Sequence, residues 1–99
     1  MREFVLVVCA PADVGEKLLD LLMEVIETPF EIGPVFTHGA SHGRMQAEEL
    51  VTGRTAAMQA QVLVTGSQLE ELVARLRTSM QGTGLRYWAT RLEVQGEIE

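Results

Sequence analysis

The feature that most limits the fold is a change of hydrophobic period that occurs twice in the same order. Phe4-Val5-Leu6-Val7-Val8-Cys9-Ala10 is a continuous apolar run dominated by valine. Such a run suits a central strand buried on both faces, or one covered by helices on one side and a partner subunit on the other. Pro11 stops it, and Val14, Leu18, Leu21, Leu22 and Val25 then recur at helical spacing to about Ile26. Further along, the succession returns. Ala56, Met58, Ala60, Val62 and Val64 alternate with Ala57, Gln59, Gln61 and Leu63, the period of a strand with one mostly polar face. Leu69, Leu72, Val73, Leu76 and Met80 supply a second helical stripe.

Local signals divide these stretches into elements. Asp13 with Glu16, and Ser67 with Glu70, have the spacing of capping boxes, in which an oxygen accepts from the free amides of a first turn. Arg75 and Arg77 fall toward the negative end of the second helix. Pro29 and Gly33 interrupt the pattern after the first helix and leave residues 34–38 as a second strand. Gly82 and Gly84 end the second helix, residues 85–90 read as a fourth strand, and a tail runs from there to Glu99.

The order is strand, helix, strand, strand, helix, strand. Two strand-helix-strand units of similar length predict an α+β, ferredoxin-like split βαβ domain over residues 1–99. Each helix has a single apolar stripe, so both are expected on one face of a four-stranded antiparallel sheet. The other face carries Met58, or else Gln59 and Gln61, according to register. An uncovered sheet face on so small a domain predicts an oligomer.

Composition narrows the partners. With 99 residues there is interior for one domain. Eight basic against fourteen acidic residues leave a net charge of −6, which argues against nucleic acid and against adsorption to an anionic membrane. Cys9 is the single cysteine, so no internal disulfide forms and a reducing compartment fits. The longest apolar run is too short to insert in a bilayer, and no secretory signal pattern is present. A cytoplasmic protein is the expectation.

The chemistry concentrates in the connection from Thr37 to Arg54, far longer than a hairpin requires. It holds His38 and His42, Gly39, Gly43 and Gly53, and Arg44 and Arg54. Residues 46–51 have the composition of a short helix. Imidazoles are common ligands of divalent zinc, copper or nickel, and His38 and His42 with Glu48 or Glu49 form one candidate metal set. Solvated histidines that simply fix the loop are the plainer reading. Arg44, Arg54, Arg86 and Arg91, near glycine turns, form a second set suited to a nucleotide or small anion. The plain reading there is surface arginine and turn glycine. Cys9 reads as a small buried hydrophobe. No nucleophile stands with an evident base, so the reading is that of a non-enzyme.

The stretches "HGASH", "EELVTGR" and "GLRYWATRLEVQGEI" make the chain resemble the PII signalling proteins. More narrowly, it resembles a small PII-like (nitrogen regulatory protein-like) bacterial family associated with heavy-metal efflux pumps, over nearly its whole length. The resemblance implies a regulatory homotrimer that binds a small effector in clefts between subunits. It carries the effector role to Thr37, His38, Gly39, Arg54, Gly82, Gly84 and Arg91. The long loop, with His42, Arg44 and Glu49, would contact a partner, a membrane transporter or efflux component among the candidates. The chain departs from nucleotide-binding members at Leu85, where lysine is typical, and in a tail made acidic by Glu93, Glu97 and Glu99. Those departures weigh against tight ATP binding. The alternatives are a cytosolic metal-binding accessory using His38 and His42, and a purely structural trimer.

Overall fold

The computed structural model describes residues 1–39 and 54–99. Four strands, β1 (Phe4–Pro11), β2 (Glu31–His38), β3 (Arg54–Val64) and β4 (Arg86–Arg91), form one antiparallel sheet in the order β2-β3-β1-β4. Helix α1 (Gly15–Val25) joins β1 to β2, and α2 (Gly66–Ser79) joins β3 to β4. The chain therefore has the expected split βαβ architecture. The short helix read over residues 46–51, together with His42, Arg44, Glu48 and Glu49, lies outside the described residues.

Register follows from the central pair. Leu6 faces Val62, Val8 faces Ala60 and Ala10 faces Met58. These even-numbered side chains point to the helices, where Leu6, Val8, Ala60, Val62 and Val64 are fully or almost fully buried against Leu18 and Leu22 of α1 and Leu72 and Leu76 of α2. Their burial is the main stabilising term, about 1.5–3 kcal/mol for each large side chain. Met58 belongs to this side and closes on Gly15, where an added Cβ would come 2.5 Å from the Met58 Cγ. A larger residue could not start α1 there without moving Met58. Gln59 and Gln61 consequently fall on the opposite face, with Val5, Val7 and Cys9 of β1 and Trp88 of β4. No helix of the described residues covers that face.

Several local expectations shift. Asp13 does not cap α1: the chain leaves β1 through a 3-10 turn, Ala12–Val14, so Val14 becomes the N-cap and offers no side-chain acceptor. The cap of α2 is Thr65, not Ser67. Thr65 Oγ1 accepts from the Gln68 amide at 3.1 Å, and Gln68 Oε1 accepts from the Thr65 amide at 2.9 Å. Since β3 pairs up to Val64, the helix begins at the first residue able to cap it. Strand β2 starts at Glu31 and runs through Gly33 and Pro34. It can do so because it is a sheet edge, where proline's missing donor is tolerated.

Candidate functional site

The split βαβ topology brings three chain reversals to one end of the sheet. Strand β1 ends at Pro11 beside Ala57 of β3, and Cys9 stands opposite Arg86 at the start of β4. The β2 and β3 hairpin runs past this end, pairing Thr37 with Thr55 and His38 with Arg54. Between these elements lies a cleft of about 880 Å³. The 3-10 turn at Asp13 and the Gly82-Thr83-Gly84 turn form its other walls.

Both glycine walls depend on backbone that side chains oppose. Gly39, Gly82 and Gly84 have φ of +81°, +81° and +83°, values that residues with a Cβ adopt only at a cost. The second turn is stitched by Thr83. Its amide and its hydroxyl both donate to the Met80 carbonyl, at 3.2 and 2.7 Å, and its hydroxyl accepts from the Leu85 amide at 3.2 Å. A fixed turn of this kind lines the cleft with main-chain polar groups close to a ligand's approach.

Of the residues named from the sequence, Thr37, His38, Gly39, Gly82 and Gly84 line this one cleft. They come from positions more than forty apart in the chain. Arg54 and Arg91 do not share it. The Arg54 guanidinium lies over the Phe36 ring, 4.0 Å from its centroid. Arg91 sits opposite Phe4, at the far end of β4, where its guanidinium is 4.7 Å from the Phe4 ring and 3.7 Å from a Glu3 carboxylate oxygen. It lies five positions along the strand from Arg86, about 17 Å, and the odd separation turns it to the opposite face.

Among the described residues, the arginine in the cleft wall is Arg86. Sequence reading included it among four arginines but did not single it out. The available signal was its position, two residues after Gly84 and first in β4. Thr55 was also missed. Its hydroxyl is buried in the cleft wall without a hydrogen-bond partner among the described residues, and only the hairpin register brings it beside Thr37. Among the described residues the wall holds one acid, Asp13, as well as Arg86 and His38. Among the described residues no three His, Cys, Asp or Glu side chains stand close enough to hold a metal ion. None of their helices is long and apolar enough to cross a membrane.

Comparison with known proteins places these features in context. A family model described as a protein of unknown function (DUF3240) matches residues 1–99. The crystal structure of a DUF3240 family protein from Shewanella baltica OS155 superposes with a TM-score of 0.76 at 19% identity, covering 100% of this chain and 99% of that one. CPII, a nitrogen regulatory PII-like protein from Thiomonas intermedia K12 bound to ADP, AMP and bicarbonate, gives 0.73 at 15% identity, covering 99% and 98%. The GlnK–ATP complex of B. subtilis gives 0.60 at 13%, covering 92% and 82%. No curated protein sequence matches the chain. At these identities the likeness is one of fold: a PII-like, ferredoxin-type domain.

Proposed function

The chain belongs to the DUF3240 family, and we propose that it is a PII-like sensor that binds a small anionic effector in the cleft at the end of its sheet. The effector is a nucleotide or a small oxyanion. The observation that carries this reading is the convergence of the positive-φ glycines Gly39, Gly82 and Gly84 with Arg86 on one cleft of about 880 Å³; the Arg86 guanidinium stands 6.0 Å from the Trp88 ring centroid. Glycine turns let backbone amides approach an anion closely, and a guanidinium adds a charge-assisted, forked donor. Relatives of the same fold support the ligand class: CPII is bound to ADP, AMP and bicarbonate, and GlnK to ATP.

In this reading the protein works as a cytoplasmic homotrimer, and catalysis has no part. The connection between β2 and β3, rooted at the cleft by Thr37, His38 and Gly39, reports occupancy to a partner such as a transporter component. The effector set becomes Thr37, His38, Gly39, Gly82, Gly84 and Arg86. Arg54 and Arg91 serve elsewhere.

Thermal-shift and calorimetric titrations with ADP, AMP, ATP and bicarbonate test it. A ligand at a hundred times its dissociation constant should stabilise the fold by about 2.7 kcal/mol. Arg86→Ala should weaken that binding at least tenfold, since a hydrogen bond to a charged group is worth about 1.5–3 kcal/mol. If none of the four ligands moves the melting midpoint, the reading is wrong.

A further inference from the structure

The cleft at the end of the sheet has little positive charge to offer an anion. Among the described residues its wall carries one arginine, Arg86, and one carboxylate, Asp13. Four other arginines are engaged away from it. Arg54 lies over Phe36, Arg75 is shared by Glu24 and Glu71, Arg77 donates to the Tyr87 hydroxyl, and Arg91 faces Glu3. The single lysine of the chain, Lys17, lines a groove between α1 and α2. Leu85, which follows Gly84, packs against the core and adds no charge.

Asp13 is exposed and has no structural task. Its sequence setting suggests a helix cap, but α1 takes Val14 as its N-cap with no side-chain hydrogen bond. No hydrogen bond or ion pair ties its carboxylate to another described residue. It stands in the turn Ala12–Val14 directly after β1, and Arg86 pairs with Cys9 near the end of that same strand. A carboxylate on a cleft wall is screened less than one on an open surface, and it repels each negative charge brought in. The amides of the Gly82-Thr83-Gly84 turn can receive one anionic group without adding net charge. Arg86 balances that group. Every further phosphate meets Asp13 and a chain of net charge −6.

We propose that the effector bears a single anionic group, and that Asp13 is the specificity-determining residue that rejects polyphosphates. A nucleoside monophosphate and bicarbonate share this chemistry. The proposal rests on the reading of the cleft as an anion site and narrows what that site accepts. Unit charges about 12 Å apart at an effective dielectric constant of about 20 repel enough to change affinity about tenfold.

Isothermal titration calorimetry on the full chain, without divalent cations, tests it with two pairs of probes: AMP against ATP, and bicarbonate against pyrophosphate. In whichever pair binds, the parent should hold the member with one anionic group about tenfold or more tightly. The pair that responds tells the nucleoside monophosphate from the free oxyanion. Asp13→Asn should narrow the preference about tenfold, and Asp13→Glu should keep it. Asp20→Asn removes the same charge from the groove between α1 and α2 and should leave the preference as it is. Circular dichroism of all three variants should match the parent. A parent that binds the polyanion of a pair as tightly as its partner overturns the proposal while leaving the anion site intact. An Asp13→Asn chain with the parent's preference does the same, as does an Asp20→Asn chain that loses it equally. If none of the four probes binds, the anion site and the proposal fall together.

Discussion

Gly82 and Gly84 show how much of the cleft depends on single residues. Both hold φ above +80° in the turn that leads into β4. At Gly82 an added Cβ would meet nothing within 4 Å, so the cost of a side chain there is purely conformational. Gly82→Ala should therefore destabilise the protein by about 1 kcal/mol, read as a shift of the denaturation midpoint, and should also weaken any cleft ligand by tilting the turn. Wild-type stability in that variant would mean that the turn relaxes to negative φ without loss. Gly15 is needed for the opposite reason: its backbone is an ordinary helical one, with φ of −61°, and Met58 occupies the space a side chain would take. The glycine pair at 82 and 84 could be read from the sequence as a turn. Its position facing Thr37 and Gly39 could not, because that contact depends on how two distant reversals align.

The elements formed largely where local chemistry put them, and their ends moved where the sheet intervened. In α2 the competing boxes Thr65/Gln68 and Ser67/Glu70 have the same spacing. The first is used because β3 stays paired to Val64. Ser67 instead places its hydroxyl 3.2 Å from that of Thr65, at an exposed position. Thr65→Ala should then cost about 1 kcal/mol, the usual loss of an N-cap, whereas Ser67→Ala should cost only a few tenths. Equal effects of the two substitutions on the urea midpoint would contradict the cap assignment. Strand β2 teaches the same lesson: Gly33 and Pro34 would break a central strand, but β2 is an edge and accommodates both.

For the whole molecule, the one-sided placement of the helices is the dominant fact. Trp88 remains 44% exposed on the uncovered face, beside Val5, Val7 and Leu63, none of which is fully buried. Apolar surface of this kind on a chain of 10.9 kDa drives association. We expect light scattering at micromolar concentration to give about three times the chain mass. Trp88 emission should shift to the red on dilution through the dissociation range, since the ring passes from apolar surroundings to water. A mass equal to one chain at every concentration would rule the assembly out.

The sequence by itself determined which segments form strands and helices, their order, and hence the ferredoxin-like architecture, because hydrophobic period and turn residues act over a few neighbours. Cys9, read as a small buried hydrophobe, is 6% exposed. Only the tertiary structure decided which face Met58 and the glutamines occupy, that Arg86 rather than Arg91 enters the cleft, and that the cap is Thr65. Each of those outcomes depends on strand register. A shift of one residue exchanges the two faces of a strand, and register is settled by packing between segments far apart in the chain.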